Sequence, residues 1–153
     1  MSKVIIRKAV LTDVEKIKVL LDFYAAKGLL LARSIPQIHE KIRNYYVAEV
    51  NDELVGCCCF VIYYPFISEI RSLAVKETSV HKGIGSILVN TCINDAKNLG
   101  IKQVFTLTYV PEFFKAIGFK RIPKRKMHPK IWSDCMHCPK YPDCSEKLLS
   151  KDI

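Results

Sequence analysis

The stretch that most limits what this chain can fold into runs from Glu69 to Ser86. Glu69-Ile-Arg-Ser-Leu-Ala-Val75 reads as a largely buried strand, with Ile70, Leu73, Ala74 and Val75 supplying the apolar side chains. Residues 76–80 make a short turn, and His81-Lys-Gly-Ile-Gly-Ser86 opens a helix through two glycines. Beyond Gly85, the positions Leu88, Cys92, Ala96 and Leu99 recur at helical spacing until Gly100 stops the run. A second apolar strand follows at Gln103 to Thr108. Strand, crossover helix and strand in this order predict a parallel pair. Glycines at the helix start let main-chain N–H groups close on an anion, which the helix dipole also favours.

The flanking sequence fits a sheet around this unit. Val4-Ile-Ile6 is a short first strand. Thr12 and Glu15 predict a capping box for a helix with Val14, Ile17, Leu21 and Tyr24 on one face and Gly28 at its end. Residues 29–34 form a loop, followed by a polar, helical piece before Asn44. Tyr45 to Val50 and Leu54 to Tyr64 predict an antiparallel hairpin across Asn51-Asp52, closed by Pro65. Pro111 suits the first turn of a short helix through Ile117, and Phe119 begins a last strand. The expected fold class is a mixed α/β (α+β) sheet, antiparallel early and parallel at its centre. Residues 1–153 fit one domain, with a tail from 128 to 153 rich in cysteine and proline packed on it.

Composition narrows the partners. Half of the residues are apolar and a quarter charged, so an ordered globule is expected. No apolar run approaches the roughly 20 residues of a membrane span. The first residues lack a secretory signal's apolar core, so a cytoplasmic location is expected. The net charge is +9, concentrated at Lys120, Arg121, Lys124, Arg125, Lys126 and Lys130 with no acidic residue among them. Such a patch attracts nucleotide phosphates, dicarboxylates or nucleic acid. A nucleic-acid lobe would favour interleaved aromatic platforms, which residues 120–144 do not offer. A homo-oligomer is compatible with the sequence.

Taken in order, the strand, Gly-x-Gly and helix at 69–99 and Phe113-Phe-Lys-Ala-Ile-Gly-Phe119 resemble the GNAT superfamily of N-acetyltransferases. More narrowly, Leu31-Ala-Arg-Ser34, Glu69 to Val75 and Lys130-Ile-Trp-Ser-Asp-Cys135 are similar to the short N-acetylglutamate synthases that lack a kinase-like domain. That resemblance implies a GNAT fold whose two central parallel strands splay, Leu73-Ala74-Val75 from Thr106 to Tyr109. The pantetheine arm of acetyl-CoA would lie between them, with Phe114 beside it. The diphosphate would rest on the N–H groups of His81, Lys82, Gly83, Ile84, Gly85 and Ser86. One departure is Val80, where the family usually has Gln or Arg.

The implied reaction is attack of an α-amino group on a thioester, with L-glutamate as the acceptor and arginine biosynthesis as the setting. Glu69 is the candidate base, directly or through a water, although a Glu69–Arg71 ion pair holding the strand edge is the competing reading. Glu69, Arg71 and Leu73 would share one strand face. The N–H of Leu73 or Ala74 would meet the oxyanion. Phe114 stands where many relatives have a tyrosine. Tyr109 is the candidate to protonate the departing thiolate, with a core or pantetheine-packing tyrosine, and a thiolate that needs no strong acid, as the competing readings. Arg33, Arg71, Ser34 and Lys130, with Lys124 or Arg125 nearby, would bind the two carboxylates. The alternatives are another amino acid or small amine as acceptor, or a noncatalytic acetyl-CoA-binding sensor.

Seven cysteines complete the inventory. Cys57, Cys58 and Cys59 alternate faces along a strand, and Cys92 lies on a helix's buried face, so all four read as small apolar side chains. Cys135, Cys138 and Cys144 could hold a structural zinc with His128, His137 or a strand cysteine as fourth ligand. The preferred reading is reduced thiols and no metal, with zinc or a redox disulfide as the alternatives.

Overall fold

The computed structural model describes residues 3–80, 82–126 and 146–153. Asn51 and Asp52 both take positive φ, 51° and 64°, the two-residue turn whose twist matches that of paired strands. They join β2 (Tyr45–Val50) to the long β3 (Glu53–Tyr64). β1 (Val4–Lys8) pairs antiparallel with β2, and β4 (Ile67–Val75) pairs antiparallel with β3. β5 (Gln103–Thr108) runs parallel to β4 after the crossover through α3 (Ile84–Asn98). Among the described residues the remaining strands are β6 (Lys120–Arg121) and β7 (Lys147–Asp152), giving one seven-stranded sheet in the order β1-β2-β3-β4-β5-β7-β6.

Period-two alternation on β3 sorts the core into two layers. Cys57, Cys59 and Val61 pack with Ile17 and Leu21 of α1 (Val14–Ala25) and Ile38 of α2 (Ile35–Glu40). Cys58 and Phe60 pack on the other side with Leu88, Val89 and Cys92 of α3 and with Phe114 of α4 (Pro111–Ala116). All four cysteines are free and buried, as the alternation anticipates. Helix α3 lies flush on β3, since a Cβ at Gly56 would stand 3.1 Å from Leu88 Cδ1. No helix among the described residues is long and apolar enough to cross a membrane.

Three expectations need correction. The capping box at Thr12 does not form. A 3-10 turn over Leu11–Asp13 precedes α1, and the buried Asp13 carboxylate accepts from Val10 N–H at 2.8 Å and from both terminal nitrogens of Arg7 at 2.7 and 2.9 Å. The Arg7 guanidinium holds that carboxyl below the usual carboxylate range. Leu99 is 59 % exposed, and Val89 and Ile93 share the buried face of α3 in its place. The last strand is β7 rather than the segment after Phe119, and it inserts between β5 and the two-residue β6.

Candidate active site

β4 and β5 pair only at Ile67–Gln103, Ser68–Val104 and Glu69–Phe105. The next link is not a ladder bond: the Thr106 hydroxyl donates to the Ile70 carbonyl at 2.9 Å. Beyond it the two strands carry on without pairing, β4 to Val75 and β5 to Thr108. Each is secured on its far edge, β4 by β3 and β5 by β7 along its whole length. The result is an open wedge with Thr106 at its apex.

A bulge shapes the β4 wall of that wedge. Cys57 pairs with Ala74 and Cys59 with Arg71, so three steps on β4 oppose two on β3. Ser72 absorbs the extra residue at φ 53°, a left-handed conformation costing a side-chain-bearing residue about 1–2 kcal/mol. Its surroundings hold it there. The Ser72 carbonyl accepts from Cys57 Sγ at 3.4 Å, and its side chain lies beside the buried Tyr45 hydroxyl.

Because a trans peptide points its C=O and N–H in opposite directions, the bonds on the β3 side fix what faces the wedge. Ser72 C=O is taken by Cys57, which turns the Leu73 N–H away from it. Ala74 pairs with Cys57 two steps along from the Lys76–Val55 bond, so its N–H turns toward β3 and the Leu73 C=O toward the open edge. Lys76 N–H donates to Val55 O, which sends the Val75 C=O the same way. Of the two oxyanion donors expected, the geometry favours Leu73, since the Ala74 N–H looks toward β3. The bulge also corrects the expectation that Leu73 shares a face with Glu69 and Arg71. Its side chain packs on the α3 side, while those two lie opposite Val61 and Cys59 on the α1–α2 side.

On that second face Glu69 is 7 % exposed and paired. Its Oε1 takes Arg71 Nε at 2.8 Å and Nη2 at 2.6 Å, while Oε2 has no hydrogen bond among the described residues. Arg71 Nη2 also donates to the Tyr63 hydroxyl, and its guanidinium carbon lies 5.5 Å from that ring's centroid. The ion pair weighed from the sequence is therefore present. It uses the Nε–Nη2 edge of the Arg71 fork and leaves Nη1 without a partner among the described residues. Tyr63, in tilted ring contact with Phe105 at 5.6 Å between centroids, was not anticipated. Its same-face alternation with Cys59 and Val61 was the available signal.

Arg33 lies half-buried in the segment between α1 and α2 and makes no ion pair among the described residues. Its charge reaches Cys59 and the Tyr45 hydroxyl, which puts it on the Glu69–Arg71 face. Burial pushes the Cys59 thiol up to about 12, against the opposing pull of Arg71 and Arg33. Ser34 is the N-cap of α2: its hydroxyl oxygen accepts from Gln37 N–H at 3.2 Å and its own N–H donates to Gln37 Oε1 at 2.8 Å.

At the glycine turn, Gly83 caps α3 with φ 78°, and the first intrahelical bond runs from Ile87 N–H to Gly83 O. The N–H groups of Ile84, Gly85 and Ser86 thus have no helical acceptor. Gly85 is closely packed, since a Cβ there would sit 3.2 Å from Phe113 Cζ. Lys82 is exposed beside the turn. Phe114 is 3 % exposed and stacks edge-on with Phe113 and Phe119 at 5.0 and 5.2 Å. It is Phe113, not Phe114, whose ring borders Gly85. Tyr109 follows the end of β5 at the mouth of the wedge, half-buried. Lys124 and Arg125 stand on a 3-10 turn after β6. His81, Lys130, Cys135, Cys138 and Cys144 lie outside the described residues. Among the described residues no three His, Cys, Asp or Glu side chains gather as a metal site.

Comparison with known proteins bears on this geometry. An uncharacterised N-acetyltransferase of Chlorobaculum tepidum is 39 % identical over 148 residues, covering 97 % of this chain and 96 % of its own. The amino-acid acetyltransferase of Mycobacterium tuberculosis is 35 % identical over 133 residues, covering 85 % and 76 %. A crystallised M. tuberculosis protein in complex with CoA superposes with a TM-score of 0.83 at 27 % identity, covering 97 % of this chain and 99 % of that one. The N-acetylglutamate synthase of Neisseria gonorrhoeae, complexed with coenzyme A and N-acetyl-glutamate, has the same fold with a TM-score of 0.90 at 24 % identity, over 99 % of this chain and 35 % of that one. The acetyltransferase (GNAT) family model matches residues 18–121, and this chain belongs to that family.

Proposed function

We propose that this enzyme, an acetyl-CoA-dependent amino-acid N-acetyltransferase, acetylates the α-amino group of L-glutamate. The observation that carries the reading is the wedge: Leu73 N–H, Leu73 C=O and Val75 C=O face an unpaired edge beside a face bearing Arg33, Arg71 and Glu69. Backbone groups on such an edge need partners, and an amide-bearing pantetheine arm supplies them. Acetyl-CoA brings the thioester carbonyl that the amine attacks. The Leu73 N–H is the donor for the oxygen on which charge develops. Ile84, Gly85 and Ser86 N–H groups, with Lys82 and His81, are the proposed seat of the diphosphate.

Glu69 Oε2 takes the ammonium proton, directly or through a water, while Oε1 stays on Arg71. Tyr109 is the donor proposed for the departing thiolate. A diacid needs two cationic contacts, and the two arginines divide them unequally. Arg33, with its whole fork uncommitted among the described residues, suits a bidentate carboxylate, and Arg71 offers Nη1 to the second. Ser34 and Lys130 are proposed as further contacts, Phe114 as packing support, and residues 1–153 as one catalytic domain in the cytoplasm serving arginine biosynthesis. The test is thiol release from acetyl-CoA across a panel of amino acids and small amines. Glutamate should give the highest kcat/KM. Turnover with a different acceptor alone would end the glutamate assignment, and binding without release would mark a sensor.

A further inference from the structure

Tyr24, near the C-terminal end of α1, has no part in the chemistry above, yet its hydroxyl donates to the Val75 carbonyl. That carbonyl is one of the groups turned to the open edge of β4, because the N–H of the same peptide unit is held by Val55 on β3. A carbonyl oxygen has two lone pairs, so the tyrosine occupies one acceptor position and leaves the other. The helix cannot readily carry the tyrosine away. Ile17 and Leu21 are fully buried in the cluster that also contains Ala74 of β4, and the Phe23 ring braces Tyr24 edge-on at 5.1 Å.

We infer that Tyr24 is a positioning residue for the acyl-CoA substrate: it holds the Val75 carbonyl aimed into the wedge, so that an amide N–H of the thioester arm meets a pre-oriented acceptor. The inference rests on the wedge being the arm's binding site. A fixed acceptor spares the ordering cost that a free strand end would impose at binding. It also ties α1, and the Arg33 segment that follows it, to the strand the arm lies on.

Titration calorimetry of wild type and Tyr24→Phe with two ligands separates the roles. Coenzyme A carries the arm; adenosine 3′,5′-bisphosphate lacks it. The typical net worth of one hydrogen bond sets the expected loss at about fivefold for coenzyme A, with no change for the bisphosphate. A parallel loss for both ligands would mark a merely structural tyrosine and overturn the inference. Equal or tighter coenzyme A binding by the variant would overturn it too. Wild type that gains nothing from the arm over the bisphosphate would remove the wedge reading, and this inference with it. If the variant does not fold, carbonyl-13C-valine spectra of the wild type decide: coenzyme A, and not the bisphosphate, must shift the Val75 resonance.

Discussion

Arg71→Met keeps a long side chain on β4 and strips the cation from beside Glu69, whose side chain is only 9 % exposed. The Nε–H donor to Oε1 at 2.8 Å and the Nη2 ion-pair contact at 2.6 Å are both lost, and the carboxylate is left in the sheet without its partner. Removing one member of a fully buried ion pair costs about 3–5 kcal/mol. Arg71 keeps 20 % of its side-chain surface in water, so screening lowers the expectation to about 2–3 kcal/mol. For a chain of this size that is a fall in Tm of about 4–12 °C. The double variant Glu69→Gln/Arg71→Met has no stranded charge and should recover at least half of the loss. Urea and thermal unfolding of both, beside the wild type, read this directly. Steady-state kinetics of Arg71→Met should show a raised KM for glutamate with that for acetyl-CoA within about twofold, as uneven use of binding energy requires. A single variant within about 0.5 kcal/mol of wild type, or a double variant no better than the single, would refute a desolvated pair at this site.

Further outcomes follow from other contacts. Glu69→Gln should lower kcat by about a hundredfold or more with little change in KM, and an unchanged kcat would leave Glu69 only its ion pair. Gly85→Ala gains up to about 1 kcal/mol of helix propensity and spends it against Phe113 Cζ at 3.2 Å. Melting should therefore barely move while the KM for acetyl-CoA rises about tenfold; an unmoved KM would take the diphosphate off this turn. Gly56→Ala presses Leu88 at 3.1 Å and should cost about 1–3 kcal/mol by pushing α3 off the sheet, visible in urea unfolding. The Cys59 thiol is raised by burial from 9.0 to about 12, so the native state binds more protons than the unfolded chain between those values. Its contribution is full below pH 9.0 and is lost as pH climbs toward 12, which a falling urea midpoint over that window would register. Cys57, Cys58, Cys59 and Cys92 should resist alkylation until denaturant is added.

Local rules carried much of the fold. Helix α3, β5 and the Asn51-Asp52 hairpin stand where periodicity and turn chemistry put them, because each is specified by neighbours in sequence. The bulge was invisible, since it is a difference in residue count between β3 and β4, and nothing about Ser72 alone announces a left-handed backbone. Missing it carried Leu73 to the wrong face. β7 was hidden for a similar reason: Lys147–Asp152 has few apolar residues, and it becomes a strand because β5 and β6 flank it on both sides. The Glu69–Arg71 contact was legible from two-residue spacing, but Tyr63 closing on Arg71 needed the register across the hairpin. The motif sets Phe114 beside the thioester arm, while the packing of α4 turns it into the core and leaves Phe113 beside Gly85.

The place of β7 has a consequence for biosynthesis. The segment that shores up β5 comes latest among the described strands, so a nascent polypeptide still missing residues 147–152 exposes a raw hydrogen-bonding border to solvent or to a chaperone. Ribosomal stalling shortly before that segment should yield a sticky species with no grip on its coenzyme, however complete the residues that touch it.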